Sequence, residues 1–522
     1  MTQKALSLSI SGHQFQNSLA EVDSLRIAVG HKLAPSRKAA MGQFITPLPV
    51  AEMMVGMFQR LDLPKISLLD AGAGVGSLLA AFISNLMQQQ QRPDSVCVVA
   101  YEIDPVLIRY LQQTLELYAT ECQLVGISFE YKIREMDFIE DAARMLQPDL
   151  FNQSNHPTFT HAILNPPYFK INAHSTTRKL LRSIGLEISN IYPGFMAAAA
   201  QLLRDGGEMV AITPRSFCNG RYFRDFRRIF LEMMALNQVH IFDSRHKAFR
   251  DDDVLQETVI SHAFKQKEKK PHVLISSSSG ADDEFVMSNN LPYSKVVYPN
   301  DPERFIRIVP DALSQWVVEQ MAFTHSLKDL GLTVSTGRVV DFRAKEYLRL
   351  MPEPGTVPLI YPVNFTNGYV DHPKETRKHQ GLLLSKETAA LLVPNEHYVL
   401  TKRFSSKEER KRVVAAVYDA DRFDCESVGF ENHLNYFHEN GRGLDIRLAK
   451  GLTVYLNSSL VDSFFRLFNG HTQVNATDLR SLNYPSLEQL YSLAEQIGKE
   501  SPLQQEIDEL VESLQITQRS NS

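Results

Sequence analysis

Cysteine is scarce in this chain, with four residues in 522: Cys97, Cys122, Cys218 and Cys425. None stands at Cys-x-x-Cys spacing to another, so neither a disulfide framework nor a zinc site is expected, and no metal is implied. Long apolar runs are also missing, and Met1 to Ala20 lacks the basic-then-apolar pattern of a signal peptide. The expected compartment is therefore the cytoplasm, with no membrane partner. Glycine and proline, 25 each, are not enriched, and no repeat period emerges. A basic excess is lacking too. The net charge of −5 argues against a surface coated for indiscriminate nucleic-acid binding, although a local basic cleft is compatible with it. What is present is an ordinary globular composition, long enough for roughly two to four domains.

From Ile66 to about Lys265, short apolar strands alternate with amphipathic helices. Ile66-Ser67-Leu68-Leu69-Asp70 predicts a strand leading into Ala71-Gly72-Ala73-Gly74-Val75-Gly76. A helix follows, with Leu78, Leu79, Phe82, Ile83 and Leu86 at helical spacing. Val96 to Tyr101 predicts a second strand ending at Glu102 and Asp104, after which Pro105 opens a helix. Phe129 to Ile133, with Asp137 just beyond, predicts a third strand. Ala162 to Leu164, a helix around Phe195 to Leu203, then Glu208 to Thr213, Gln238 to Phe242 and Thr258 to Phe264 complete the series. This pattern predicts an α/β fold with a doubly wound, mostly parallel sheet. Lys265 to Lys270 and Ser276 to Gly280 read as a domain edge or an exposed loop. A boundary near residue 310 separates a domain 1–310, with an N-terminal arm over 1–40, from a less regular domain 311–522. Short strands such as Pro358 to Val363, a helix over Ser405 to Val417 and a closing helical region from Ser486 to Leu514 make the second domain mixed α+β.

Two local patterns carry chemistry. In His161-Ala162-Ile163-Leu164-Asn165-Pro166-Pro167-Tyr168-Phe169 a buried strand stops at an amide, two prolines and a ring. The prolines cannot continue a sheet ladder and fix their own φ, so the turn is rigid. It can hold the Asn165 side-chain oxygen and the Pro166 carbonyl convergent, beside the Tyr168 ring. Two such acceptors suit a planar ring bearing an exocyclic NH2, whereas an isolated Asn-Pro-Pro would more often be a plain strand-ending turn. The second pattern is Asp70-x-Gly72-x-Gly74-x-Gly76, where glycines let the backbone turn sharply and approach a ligand. It departs from the G-x-G-x-x-G fingerprint and lacks a phosphate-binding Gly-Lys-Ser/Thr ending. Glu102 is placed to accept both hydroxyls of a ribose.

Together these residues resemble the class I S-adenosylmethionine-dependent methyltransferases. In that resemblance Asp70, Gly72 and Gly74 face the methionine part of the cofactor, and Glu102 with Ile103 lies at the ribose. Asp137-Phe138 matches the motif that bonds and packs the adenine, and Gly42-Gln43-Phe44-Ile45-Thr46-Pro47 matches the one capping the methionine end through Phe44, Thr46 and Pro47. Asn165 borders cofactor and target alike. The order of capping motif, glycine loop, catalytic turn and long C-terminal region resembles the gamma-class, Taq-type DNA adenine-N6 methyltransferases. Lys402-Arg403-Phe404 with its flanking residues and the turn Asn469 to Asn475 are similar to the PstI/BsuBI restriction–modification methylases, which implies a palindromic target of the CTGCAG kind.

The resemblance implies S-adenosylmethionine as cofactor, duplex DNA as partner and a separate cognate endonuclease. Asn165, Pro166, Pro167 and Tyr168 are the expected catalytic turn, with Tyr168 stacking on an extruded base and Phe249 as the second stacking face. Phosphate contacts are expected from Lys402, Arg403, Lys407, Arg410, Lys411 and Arg412, where a solvated helix face would look the same. Base readers are expected among Asn469, His471, Gln473 and Asn475, where an ordinary surface loop is the plain alternative. Two other functions remain open from the residues: a methyltransferase for RNA or a protein glutamine, and a DNA-binding subunit that has lost activity.

Overall fold

The computed structural model describes residues 17–30, 45–147, 158–242, 258–281, 283, 286–299, 301–311, 317, 321, 323–405, 409–468, 473–495 and 502–520. The chain divides into two compact units, Met1–Asp311 and Ala312–Ser522. Among the described residues no helix is long and apolar enough to cross a membrane.

The first unit is built on a nine-stranded sheet in the order β3-β2-β1-β4-β5-β7-β6-β8-β9. Its strands are β1 (Lys65–Ala71), β2 (Ser95–Tyr101), β3 (Ser128–Arg134), β4 (Phe159–Leu164), β5 (Leu203–Pro214), β6 (Met234–Phe242), β7 (Thr258–Lys265), β8 (His272–Ser278) and β9 (Met287–Pro292). Pairing from β3 through β5 is parallel, while β7 runs antiparallel between β5 and β6. This is the doubly wound α/β sheet that the sequence pattern predicts, mixed rather than wholly parallel. The described helices before and between the first six strands are α1 (17–30), α2 (Leu48–Val55), α3 (Ser77–Gln88), α4 (Pro105–Leu124), α5 (Phe138–Leu146), α6 (Thr176–Ser183), α7 (Ile191–Leu202) and α8 (Arg224–Met233).

Strand β4 is buried at all six positions, which is why it reads as a continuous apolar run rather than an alternating one. On one face of the sheet Leu78, Phe82 and Leu86 of α3 and Leu111 and Leu115 of α4 close over Leu68, Val98, Ile163 and Ile212. Each such fully buried side chain contributes on the order of 1.5–3 kcal/mol. Helix α7 is buried throughout Ala197, Ala198, Ala199 and Ala200, and these small side chains let it lie close to the sheet. Strand order reverses between β1 and β4, so the loops leaving their carboxyl ends diverge and open a crevice there.

Two local expectations need correction. Ser276, Ser277 and Ser278 are buried residues of β8 rather than a loop. The His240 ring explains them: Nδ1 lies 2.9 Å from Ser276 Oγ and Nε2 lies 3.1 Å from Ser278 Oγ, so a polar run serves as the partner of a buried imidazole. The charged stretch before it, Lys267 to Lys270, is the β7–β8 connection and not a domain end.

The second unit holds a six-stranded and a five-stranded sheet, with helices Ile446–Leu456, Ser459–Phe468, Ala476–Arg480, Leu487–Glu495 and Gln504–Ser520. Gly451 sits where a Cβ would fall 1.9 Å from the Leu490 carbonyl oxygen, so Ile446–Leu456 and Leu487–Glu495 pack nearly backbone to backbone. The helix expected over Ser405 to Val417 is absent from its described part, and Ala415–Tyr418 is a strand. Asp462 draws the chain straight here, its Oδ1 accepting from the main-chain N–H of Arg412 at 2.6 Å and of Val413 at 3.1 Å. Arg412, an expected phosphate contact, is fully buried, with Nε donating to Ser405 Oγ at 3.1 Å and the guanidinium over the Phe465 ring. Lys411 is half-buried and donates to the Asn457 carbonyl. A basic run in sequence has become scaffold at these two positions. Lys402 and Arg403 are partly exposed and Arg410 is exposed.

Candidate active site

The loop between β1 and α3 is held by main-chain bonds that require glycine. Gly72, Gly74 and Gly76 have φ values of 98°, 59° and 89°, the left-handed region that side chains disfavour. At Gly76 a Cβ would also crowd Leu111 and Thr114 at 3.1 Å, so this residue fixes how closely α3 approaches α4. The N–H groups of Gly72 and Ala73 both donate to the Tyr101 carbonyl, at 3.0 and 2.9 Å. The loop is thereby tied to the end of β2.

Glu102 leaves β2 at that point and is buried. Its Oε2 accepts from Gly74 N at 2.9 Å, and its Oε1 accepts from Ile103 N at 2.8 Å and Asp104 N at 2.9 Å. Burial raises the carboxyl's pKa while these three N–H donors pull it back down. Glu102 therefore shapes the glycine loop as well as facing the crevice. Asp70, at the end of β1 beneath the loop, is fully buried, and neither carboxyl oxygen has a hydrogen-bond partner. Burial, then the nearby Glu102 charge, raises its pKa well above the usual carboxylate range. Such an orphaned acid costs stability unless a cation or donor arrives.

Asp137 caps α5 by accepting from Glu140 N at 3.0 Å. Phe138, the next residue, is buried with its ring centroid 5.1 Å from those of both Tyr101 and Phe195. At the other wall, Asn165 follows β4. Its Nδ2 donates to Thr46 Oγ1 at 2.9 Å, and its Oδ1 accepts from the Tyr168 hydroxyl at 2.8 Å. The same hydroxyl lies 3.1 Å from the Ile212 carbonyl of β5. The Tyr168 ring meets Tyr192 edge-on, with centroids 6.0 Å apart.

One cavity of about 260 Å³ joins these parts. Thr46, Gly72, Gly74, Glu102, Ile103, Asp137, Phe138, Asn165 and Pro167 all line it. A Cβ built on Gly72 would fall 3.8 Å from the Asn165 carbonyl oxygen, so the glycine loop and the Asn-Pro-Pro-Tyr turn face each other directly. Asp70, Pro47, Pro166 and Tyr168 are not among its lining residues. Sequence reasoning missed Phe169 and Thr177, and Ile191 and Phe195 of α7, which close the far side. The exposed Phe169 ring, directly after the motif, was the one legible signal; the others are brought in by tertiary packing. Gly42, Gln43, Phe44 and Phe249 lie outside the described residues, as do Lys407, Asn469, Gly470, His471 and Thr472. Gln473 and Asn475 are partly exposed, and Asn475 caps Ala476–Arg480.

The Eco57I restriction-modification methylase family model matches residues 97–249, which include the end of Glu102's strand and the Asn-Pro-Pro-Tyr turn. Type II methyltransferase M.PstI of Providencia stuartii is 42% identical over 99% of this chain and 100% of its own length. Type II methyltransferase M.BsuBI of Bacillus subtilis is 42% identical over 97% of this chain and 99% of its own. This chain belongs to the type II methyltransferases. Among solved structures, the type IIG restriction endonuclease BpuSI is similar at a TM-score of 0.44 and 14% identity, over 92% of this chain and 67% of that one. As a type II methyltransferase the chain is a modification methylase.

Outside the cavity, His397, Asp419 and Asp421 bring ligand atoms within 4.8 Å of one another in the second unit. His397 Nδ1 already accepts from Ala420 N, and Asp419 caps the short helix Ala420–Arg422, so local structure accounts for the group.

Proposed function

We propose that the cavity binds S-adenosylmethionine and that the enzyme methylates N6 of an adenine extruded from duplex DNA. Residues 1–310 bind cofactor and catalyse, and residues 311–522 recognise the target. The observation that carries this reading is the single cavity walled by Glu102 and Asp137-Phe138 on one side and Asn165 on the other. The residues fit the cofactor. Asp70 is a buried acid awaiting a positive partner, the glycines leave the backbone bare, and Glu102 and the Phe138 ring suit ribose and adenine.

When bound, the cofactor supplies an electrophilic methyl on a cationic sulfur. The chain's own contribution is to make a poor nucleophile attack it. The adenine amine has its lone pair delocalised into the ring; two acceptors, Asn165 Oδ1 and the Pro166 carbonyl, favour a more tetrahedral nitrogen with the lone pair aimed at the methyl. With the cofactor bound, the nitrogen would take the methyl while the bonding pair stayed with the leaving thioether, and one amine proton would pass to solvent. This is orientation and electrostatic preorganisation without a strong general base. The base must leave the stack to reach the turn, and Tyr168 offers one face for it.

Methyl transfer from tritiated cofactor to unmethylated duplex, followed by nucleoside chromatography, tests the reading. Label in N6-methyldeoxyadenosine is expected, and a CTGCAG-type palindrome is the first duplex to try, given the resemblance to the PstI/BsuBI methylases. Label in methylcytosine, RNA or protein, or none at all, would reject it. A separate cognate endonuclease and a cytoplasmic place of action complete the proposal. Duplex affinity should fall steeply with salt, because phosphate contacts release counterions. Arg412→Ala should leave that salt slope intact and instead destabilise the protein by about 3 kcal/mol in urea, since a buried network is broken. A flattened slope with unchanged stability would return Arg412 to the DNA surface.

A further inference from the structure

We propose that Phe169, Lys170 and Tyr222 form a rim beside the Asn-Pro-Pro-Tyr turn that holds the unstacked nucleotides flanking the extruded base. The inference rests on the methyltransferase reading and extends DNA contact to residues outside every motif named above. Phe169 is 44% exposed and Tyr222 65%, and among the described residues of the first unit no other phenylalanine or tyrosine is exposed. Both flank one cation. Lys170 follows Phe169 in sequence, and its Nζ stands 5.9 Å from the Tyr222 ring centroid. Single apolar side chains scattered over a surface need no explanation, but two rings at one lysine form a patch.

Packing puts this patch at the mouth of the cavity, which Phe169 itself lines. The Phe169 carbonyl accepts from Ile191 N at 3.0 Å, and Ile171 N donates to the Ser189 carbonyl at 2.9 Å. Lys170 pairs with Asn190 between them as an antiparallel bridge, so the segment leaving the turn is fixed against the start of α7. Tyr222 arrives on the connection between β5 and α8. A ladder of rings leads from the turn to it, Tyr168 to Tyr192 at 6.0 Å and Tyr192 to Phe223 at 5.6 Å. Phe223 is buried, whereas its neighbour Tyr222 turns outward. The connection is also pinned by the fully buried Arg227, whose Nη1 donates to the Phe217 carbonyl at 3.1 Å and the Gly220 carbonyl at 2.7 Å. A rim held in this way is preformed, so little ordering entropy is lost when a strand settles on it.

The occupant follows from the chemistry. Lys170 Nζ has no carboxylate or other hydrogen-bond partner among the described residues, so no ion pair consumes its charge. A cation between two exposed rings suits a polyanion carrying flat apolar groups, which is a nucleic-acid strand. An intact duplex presents its bases only edge-on and cannot use the rings. A strand from which one base has been withdrawn can, because the neighbouring bases have each lost a stacking partner on the side of the gap. Tyr222 replaces that partner for one neighbour, Phe169 bounds the strand on the cavity side, and Lys170 meets a phosphate between them. At 5.9 Å its contact with the ring is loose enough for the ammonium to swing to that phosphate. The rim recovers part of the stacking that extrusion costs without reading which base it covers, since every base has a π-face.

Duplex affinity by fluorescence anisotropy, with S-adenosylhomocysteine present, tests the rim. Tyr222→Ala is expected to bind a CTGCAG-type duplex about tenfold more weakly, and Tyr222→Phe as tightly as wild type, because the ring rather than the hydroxyl is used. Lys170→Gln should lower the slope of log affinity against log salt by about one, the loss of one phosphate contact. Cofactor affinity by calorimetry and Tm should hold at wild-type values in Tyr222→Ala and Lys170→Gln, since both side chains are exposed. An abasic nucleotide beside the target adenine supplies the decisive comparison. Once the base that Tyr222 covers is removed, on the 5′ or the 3′ side, Tyr222→Ala should cost no further affinity. Wild-type affinity in Tyr222→Ala, an equal loss in Tyr222→Phe, a loss that persists with either neighbour abasic, or an unchanged salt slope in Lys170→Gln would each overturn the rim. Failure of the underlying reading looks different: no N6-methyladenine forms, yet both variants still weaken binding to the duplex. That result would keep the strand contact and remove the assigned reaction, whereas methylated adenine with wild-type binding in both variants would remove the rim alone. A protein that binds no duplex would end both.

Discussion

Replacing Asn165 by alanine is expected to lower methyl transfer on the order of a thousandfold, comparable with removing one preorganised group from an acyl-transfer site. Cofactor affinity should change little, because Glu102, Asp137 and Phe138 hold their positions through bonds independent of Asn165. The fold should tolerate the change, since Asn165 is only partly buried and follows the last residue of β4. On the proposed reading the side chain acts in the chemical step and in little else. Single-turnover transfer to a cognate duplex, beside calorimetric titration of the cofactor, separates the two effects. A variant that turned over at the wild-type rate would remove the Asn-Pro-Pro-Tyr turn from the mechanism altogether.

The shape of that turn was legible in sequence because it is set locally. Proline fixes its own backbone and the residue before it, so four consecutive letters specify a shape. The glycine loop was legible for a related reason: three positive φ angles at alternate positions leave few residues but glycine acceptable. Strands β1 to β7 could be placed within about five residues: fully buried β4 gives an unbroken apolar run, and edge strand β3 betrays itself by alternating side chains. Reading failed where polar residues take their meaning from distant partners. The serines of β8 look like a loop until His240 stands across from them, and Arg412 looks like a DNA contact until Asp462 and Phe465 enclose its segment. The hydrogen bond from Asn165 Nδ2 to Thr46 was equally hidden. Thr46 and Asn165 lie 119 positions apart, and no spacing rule links the two.

Asp70→Asn should have opposite effects on stability and on cofactor binding. In the cofactor-free protein Asp70 is fully buried with both oxygens unpartnered, and its pKa is raised by burial and then by Glu102. A folded-state value above the unfolded one means that the native protein binds the proton more tightly. The stability contributed by Asp70 is therefore fully present below the unfolded value and is lost as pH rises through the folded one. Asparagine has no such titration, so the variant should be more stable than wild type at and above neutral pH. A gain of about 1 kcal/mol corresponds to roughly 2–4 °C in Tm for a domain of this size. The gap should close on acidification, where wild-type Asp70 is neutral as well. Binding runs the other way. A buried carboxylate that ionises against a cationic ligand repays its desolvation only with the ligand present, and its loss should weaken the cofactor on the order of a hundredfold. Wild-type affinity should accordingly rise with pH through the folded Asp70 titration, whereas the variant's affinity should stay flat. Thermal melts and calorimetry from pH 5 to pH 9 would read both trends. A variant with lower Tm and unchanged affinity would show that Asp70 is a structural acid and that the positive end of the donor is met elsewhere.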